Sequence, residues 1–253
     1  MLLTLYKLAL APALLLQARK LRSTALRLPE PRGERAGATS ALSNTDSTRS
    51  PLRIIVVGDS SAAGVGVEHQ RDALAVQVAQ SVAQKTGRQI QWHLHAKSGL
   101  SAAEADAFIS KQHLPAADII ISAFGVNDVT AQRSARQFIA DYQRLLQTLF
   151  KQTGAKRAVI SGLPPLHILP VAPQPLRWYL GQCAMRLDRS LQRLCARTSS
   201  FTYVSLQWAR AEHMARDKFH PGPSQYQRWA QLISEEIARL LTVAPESGAV
   251  RPL

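Results

Sequence analysis

The chain has few cysteines, few aromatic residues and no apolar run of transmembrane length. Its 253 residues include only two cysteines, Cys183 and Cys195, both on one predicted helix. This leaves no disulfide framework, and no CxxC spacing indicates a cysteine-based metal site. Aromatic residues make up 6% of the chain and apolar residues 46%, which fits one domain with a sizeable core.

Acidic residues are also scarce, at 17 Asp and Glu against 31 Lys and Arg, so the net charge is +14. The first 53 residues hold nine basic and three acidic residues, and the remainder holds 22 and 14, so the excess is spread along the chain. No nucleic-acid motif accompanies it. We therefore predict no nucleic-acid partner and a basic surface that favours anionic membranes or substrates. Nothing in the sequence indicates an oligomeric state.

The glycine-rich loops that bind nucleotides are missing as well. No Gly-Lys-Ser/Thr follows Gly58 or Gly64, as a phosphate-binding loop requires. Gly64-Val65-Gly66 lacks the third glycine of a dinucleotide fingerprint. These residues therefore argue against a nucleotide-binding protein.

The N-terminal segment is apolar first and basic afterwards. Residues 2–16 are nearly all apolar, which is shorter than the ~20 residues of a spanning helix. Arg19, Lys20, Arg22 and Arg27 follow, the reverse of a secretory signal. We predict that residues 1–28 are retained and associate with a membrane on its cytoplasmic side, with export by an atypical signal as the alternative. The Pro, Gly and polar residues of 29–52 predict a flexible linker.

Strand-length apolar runs alternate with helical patterns over residues 53–243. The predicted strands are 53–57, 90–96, 118–123, 158–161 and 201–205, and the predicted helices lie near 70–86, 101–112, 132–152, 178–198 and 223–243. Strands separated by helices pair in parallel through right-handed crossovers. The pattern therefore predicts an α/β fold, a three-layer α/β/α sandwich with a five-stranded parallel sheet, followed by a tail over 244–253.

Four short motifs follow predicted strands. Gly58-Asp59-Ser60 follows the first strand and Gly99 the second, Gly125-Val126-Asn127-Asp128 follows the third, and Asp217-Lys218-Phe219-His220-Pro221 lies after the fifth. Over about residues 53–243 this ordered set resembles the SGNH (GDSL) hydrolases, named for their Ser, Gly, Asn and His. The resemblance implies a flavodoxin-like fold and hydrolysis of an ester or related acyl bond on a small-molecule substrate. It also implies a serine nucleophile with no metal or organic cofactor.

The resemblance assigns a role to each motif residue. Ser60 is the expected nucleophile, His220 the base that removes its proton, and Asp217 the carboxylate that orients the imidazole. The expected oxyanion hole consists of the N–H groups of Ser60 and Gly99 and the side-chain amide of Asn127. Six other histidines lack the Asp-x-x-His-Pro setting: His69, His93, His95, His113, His167 and His213.

The neighbours of these residues are expected to be structural. We predict that Ser61 caps the following helix, that Asp59 braces its loop by accepting backbone N–H groups, and that Asp128 partners nearby backbone. Gly99 is expected because a Cβ there would crowd the acyl carbon. His93 and His95 point the same way on a predicted strand, but no third metal ligand accompanies them.

Three functions fit this sequence. The first is a serine esterase acting near a membrane through an acyl-enzyme, and the second, favoured by the N-terminal segment, is a lysophospholipase or acyl thioesterase. The third is a non-catalytic binding protein on the same fold, against which the complete motif set argues.

The proline-rich residues 162–176 are predicted to form an ordered loop that walls the acyl pocket.

Overall fold

The structure, a computed structural model, describes residues 2–41 and 49–242. It confirms the α/β sandwich, with one sheet between two layers of helices. The strands are β1 (Ala36–Thr39), β2 (Leu52–Gly58), β3 (Ile90–Ala96), β4 (Ile119–Ala123), β5 (Arg157–Ser161) and β6 (Phe201–Val204). The helices are α1 (Leu2–Ala9), α2 (Ala11–Thr24), α3 (Ser60–Ala63), α4 (Leu74–Thr86), α5 (Ala102–Ile109), α6 (Val126–Thr130), α7 (Ala135–Thr153), α8 (Leu176–Ala196) and α9 (Pro223–Thr242).

The sheet order is β1-β3-β2-β4-β5-β6, and β2 to β6 run parallel. The central strand β2 pairs with β3 on one side and β4 on the other. Both faces of β2 are covered by helices, so its side chains from Ile54 to Val57 are all buried. This explains why the strand is a continuous apolar run and not an alternating one.

The sixth strand, β1, corrects the predicted five-stranded sheet. It pairs antiparallel with β3 at the sheet edge and lies inside residues 29–52, which were predicted to be a flexible linker. Its sequence, Ala-Gly-Ala-Thr, lacks the β-branched and aromatic residues that mark a strand. The strand forms because β3 offers it an edge to pair with. The predicted tail over 244–253 lies outside the described residues.

Each face of the sheet has its own apolar core. Ile54 and Val56 point toward α4 and α9, whereas Ile55 and Val57 point toward α5, α7 and α8. This alternation is the period-2 pattern of a strand. The carboxyl ends of the parallel strands therefore meet along one edge, where open α/β sheets place their functional sites.

The two N-terminal helices pack against α8. Leu14 is buried in the core beside α8, and Tyr6 meets Trp178 edge-on with 5.3 Å between ring centroids. The side chain of Gln17 accepts a hydrogen bond from the Leu176 N–H at 3.1 Å and donates to the Gln174 carbonyl at 2.6 Å. Gln17 thus satisfies a backbone donor at the start of α8. No helix within 2–41 or 49–242 is long and apolar enough to cross a membrane.

Candidate active site

The turn after β2 presents Ser60 at the start of α3. Asp59 caps this helix by accepting the Ser61 N–H on Oδ1 at 3.0 Å. The prediction that Asp59 braces the loop is therefore confirmed, whereas the prediction that Ser61 caps the helix is wrong. A Cβ at Gly58 would lie 2.3 Å from Ala62 Cβ and 2.6 Å from the Ala123 carbonyl oxygen, so only glycine fits the turn.

Three side chains form a continuous hydrogen-bonded chain at this edge of the sheet. His220 Nε2 lies 2.9 Å from Ser60 Oγ, and His220 Nδ1 lies 2.6 Å from Asp217 Oδ2. The other Asp217 oxygen accepts the N–H groups of Phe219 and His220, each at 3.0 Å. The Asp217 carboxylate is therefore fixed on both oxygens, and the imidazole ring is fixed through it.

The charge on Asp217 follows from these contacts. Burial alone would raise its pKa, but the hydrogen bonds from the His220 ring and from two backbone N–H groups outweigh burial and hold the pKa below its usual range. The carboxylate is ionised at neutral pH and favours a proton on His220 Nδ1. His220 Nε2 is then the nitrogen that can accept the Ser60 proton.

The loops of Ser60 and His220 are packed against each other. A Cβ at Gly66, whose φ is +116°, would lie 2.1 Å from the Pro221 carbonyl oxygen. The Tyr226 hydroxyl lies 2.9 Å from the Ser61 carbonyl oxygen and 2.8 Å from that of Val65. Sequence analysis did not single out Tyr226, because no local pattern marks a helical residue that supports a loop so distant in the chain.

Gly99 lies in the loop after β3, beside the nucleophile turn. Its φ is +88°, in the left-handed region that favours glycine. A Cβ there would meet no protein atom within 4 Å, so its backbone conformation explains the glycine without any crowding by the protein. Across the part of the chain that the structure describes, the N–H groups of Ser60 and Gly99 donate to no protein acceptor.

Asn127 lies close to the nucleophile turn and the loop of Gly99, in the first turn of α6. Its Nδ2 lies 3.0 Å from the Leu100 carbonyl oxygen and 3.3 Å from Asp59 Oδ2. The amide therefore joins the loop of Gly99 to the nucleophile turn. The Asp59 contact is the longer of the two, so the N–H that makes it is the more weakly held.

Asp128 is fully buried and serves the backbone, as predicted. Its carboxylate accepts the Ala102 N–H, with the nearer oxygen at 3.1 Å, at the start of α5. Burial, the dominant cause, raises the pKa of Asp128 and the pKa of Asp59 to about 6 each. Both carboxyl groups are structural neighbours of the site and face away from solvent.

An apolar cavity opens beside Ser60. The loop predicted to wall an acyl pocket does line this cavity, through Pro164, Pro165, Leu166, Ile168 and Leu169. The other apolar lining side chains include Phe124, Val126, Leu206, Trp208, Met214 and Phe219. An uncharged apolar group attached to a carbonyl carbon at Ser60 fits this surface.

The remaining candidate residues lie elsewhere. His93 and His95 stack with 6.4 Å between ring centroids, and His95 Nδ1 lies 2.7 Å from Gln112 Oε1. Within the described ranges no three His, Cys, Asp or Glu side chains gather as metal ligands. Cys183 is half-buried and Cys195 is buried, and both are free thiols.

Known proteins share this sequence pattern and fold. The sequence model of the GDSL-like lipase/acylhydrolase family matches residues 56–228. A GDSL-like esterase of Mycobacterium tuberculosis is 27% identical over 206 residues, which cover 76% of this chain and 63% of that protein. The chain therefore spans under two thirds of the length of this relative.

Two solved structures illustrate the likeness of fold. A lipase from a goat rumen metagenome has a TM-score of 0.57 at 16% identity, over 74% of this chain and 97% of that one. A carbohydrate acetylesterase from Sinorhizobium meliloti has a TM-score of 0.59 at 15% identity, over 75% of this chain and 99% of that one. At such identities the likeness concerns the fold.

Proposed function

Because the chain belongs to the GDSL-like lipase/acylhydrolase family, we propose that it is a serine hydrolase that cleaves carboxylic esters through an acyl-enzyme. The observation that carries this proposal is the chain of hydrogen bonds from Ser60 through His220 to Asp217. A serine hydroxyl is a weak nucleophile until a base takes its proton, and His220 Nε2 lies within hydrogen-bond reach of that proton.

In the first half of the reaction, Ser60 Oγ attacks the carbonyl carbon of the ester while His220 accepts the hydroxyl proton. The carbonyl oxygen becomes an oxyanion, which the N–H groups of Ser60 and Gly99 and the amide of Asn127 would stabilise. The tetrahedral intermediate collapses, the C–O bond to the alcohol breaks, and His220 returns its proton to the departing alkoxide.

In the second half, a water molecule takes the place of the alcohol. His220 accepts a proton from this water as its oxygen attacks the acyl carbon, and then gives that proton to Ser60 Oγ as the bond to the acyl group breaks. Asp217 remains ionised throughout and stabilises the imidazolium that forms twice per turnover. The acid leaves and the free enzyme is restored.

The apolar cavity supports an uncharged acyl group of small or medium length. The N-terminal helices support a lipid ester, such as a lysophospholipid, as the substrate. Their leucines Leu5, Leu8, Leu15 and Leu16 are exposed, so they can contact a lipid surface. Acetylated carbohydrate is a further substrate to test, because the Sinorhizobium meliloti protein of the same fold is described as a carbohydrate acetylesterase.

We further propose that the N-terminal helices hold the enzyme at an anionic membrane surface. Leu8, Leu15 and Leu16 are 68%, 66% and 70% exposed. Residues 1–29 contain no Asp or Glu, and Lys7, Arg19, Lys20, Arg22 and Arg27 are exposed. Exposed leucines together with basic side chains, in a segment without acidic residues, are typical of a helix that lies in the interface of an anionic bilayer.

The substrate test is a panel of p-nitrophenyl esters of increasing acyl length, acyl-CoA thioesters, lysophospholipids and acetylated sugars, assayed on the purified full chain. We expect turnover of at least one ester and covalent labelling by a fluorophosphonate. A protein that binds these compounds without turnover or labelling would instead be a binding protein on this fold.

The membrane test is cosedimentation with phosphatidylglycerol vesicles and with phosphatidylcholine vesicles. We expect binding to the anionic vesicles, reduced by salt, and further reduced in the double variant Leu15→Ser, Leu16→Ser. Leu241→Ser is the matched control, because it replaces an exposed leucine outside the N-terminal helices. Equal binding by the double variant and this control would exclude the N-terminal helices as the contact.

A further inference from the structure

The loop that carries Gly99 is held by a residue far upstream in the chain. Glu30 Oε1 accepts the Ser98 N–H at 3.0 Å and the Ser98 hydroxyl at 2.7 Å. Two hydrogen bonds to one residue fix both its backbone and its side chain. Ser98 immediately precedes Gly99, so this contact lies one residue from the Gly99 N–H.

Arg35 holds Glu30 in place. Its Nη1 donates to Glu30 Oε2 at 2.9 Å, and its Nη2 donates to the carbonyl of Ala96, the last residue of β3. The Arg35 carbonyl in turn accepts the Leu94 N–H at 2.7 Å. Glu30 and Arg35 therefore bracket the end of β3 and the start of the loop that follows it.

Packing does little to hold this loop. Lys97, Ser98 and Gly99 are all exposed, and a Cβ at Gly99 would contact nothing within 4 Å. The other hydrogen bond at the start of the loop runs from the Lys97 N–H to the Gly58 carbonyl at 3.2 Å. Leu100, the next residue, packs against the core and its carbonyl accepts from Asn127 Nδ2 at 3.0 Å, so it anchors the far end of the loop. The exposed residues before it keep one conformation chiefly through their polar contacts.

The carboxylate of Glu30 is suited to this contact. Partial burial would raise its pKa, but the hydrogen bonds from Ser98 and the charge of Arg35 outweigh burial and lower the pKa. Hydrogen bonds to an ionised acceptor are shorter and stronger than bonds between neutral groups. Glu30 therefore holds Ser98 as a carboxylate at neutral pH.

We propose that Glu30 is a positioning residue of the oxyanion hole, which holds Ser98 so that the Gly99 N–H is fixed toward the oxyanion. The inference rests on the proposed esterase function and adds a residue from the segment that the sequence predicted to be a linker. Its physical reason is preorganisation, since a donor that is already in place costs no reorganisation when the oxyanion forms.

The test compares Glu30→Ala, Glu30→Gln and the control Glu34→Ala on the full chain, with a p-nitrophenyl ester as substrate. Glu34 is exposed on the same segment. We expect Glu30→Ala to lower kcat by about 10-fold with little change in KM, because the misplaced donor acts mainly in the transition state. Glu30→Gln keeps an oxygen that can accept from Ser98 but turns an NH2 group toward Arg35, so its kcat should lie between those of Glu30→Ala and the wild type.

A second measurement separates positioning from general destabilisation. Affinity for a trifluoromethyl ketone that forms an oxyanion adduct with Ser60 should fall by the same factor as kcat in Glu30→Ala, while the melting temperature stays well above that of the assay. Unchanged kcat in Glu30→Ala, or an equal loss in Glu34→Ala, overturns this inference alone. A wild-type protein that hydrolyses no ester overturns the proposed function with it.

Discussion

Replacement of Asn127 by alanine separates an enzyme from a binding protein on this fold. In the proposed mechanism the Asn127 amide donates to the oxyanion, which exists only in the transition state and the tetrahedral intermediates. We expect Asn127→Ala to lower kcat by ~100-fold or more, the usual cost of removing one such donor, with KM little changed. Steady-state hydrolysis of a p-nitrophenyl ester measures both constants.

The structure also predicts what this variant costs in stability. Asn127 gives hydrogen bonds to Leu100 O and to Asp59 Oδ2, and alanine removes both. At about 1 kcal/mol per hydrogen bond, the free energy of unfolding should fall by roughly 2 kcal/mol. Urea unfolding measures this fall, and the kinetic assay must be run in conditions where the variant is fully folded.

Asp128→Asn is the matched control, because Asp128 is the next residue and contacts backbone away from Ser60. It should change stability and leave kcat within a few-fold of the wild type. A kcat loss in Asp128→Asn equal to that in Asn127→Ala would refute the assignment of the oxyanion donor. A raised KM with unchanged kcat in Asn127→Ala would instead indicate a recognition pocket.

Three further outcomes are expected from the same site. Ser60→Ala should abolish turnover and fluorophosphonate labelling, whereas Ser61→Ala should keep most of both. Labelling that is retained in Ser60→Ala and lost in Ser61→Ala would make Ser61 the nucleophile. His220→Ala should lower kcat by about 10⁴-fold and Asp217→Ala by less, because a displaced imidazole still accepts a proton occasionally; a fully active Asp217→Ala would show that another group orients the ring. Folding raises the pKa of Asp128 to about 6, so this residue stabilises the fold at low pH and loses that contribution as pH rises through 6. From pH 7 to pH 4, the free energy of unfolding of the wild type should rise by up to ~3 kcal/mol relative to that of Asp128→Asn, as measured by urea unfolding. Unfolding free energies that change in parallel with pH in the two proteins would contradict this.

Local sequence patterns predicted the parallel strands because each is an apolar run that ends in a short polar or glycine motif. The bounds of β3 agree exactly with the prediction, and those of β2 differ by one residue at each end. The strand pattern placed the motif loops at one edge of the sheet, and the resemblance to the SGNH hydrolases indicated which residues of those loops form the site. The distances between Ser60, His220 and Asp217 required the structure.

Sequence analysis missed one contact between distant parts of the chain and one local contact. No property of Glu30 by itself indicates Ser98 as its partner, because the two residues are 68 positions apart in the chain. The cap of α3 was assigned to Ser61 from residue type alone. In the structure the helix begins at Ser60, so the residue before it, Asp59, accepts the free N–H group.

The edge strand β1 has a consequence for any shortened form of this protein. It covers the outer edge of β3, and Gly37 lies so close to Trp92 that an added Cβ would be 3.1 Å from the indole. A chain that lacks residues 1–52 would lose β1, which would expose Trp92 and the unpaired backbone N–H and C=O groups of β3. A second molecule could then pair with this open edge. Solubility and monodispersity should therefore fall sharply between a chain that starts at residue 29 and one that starts at residue 53.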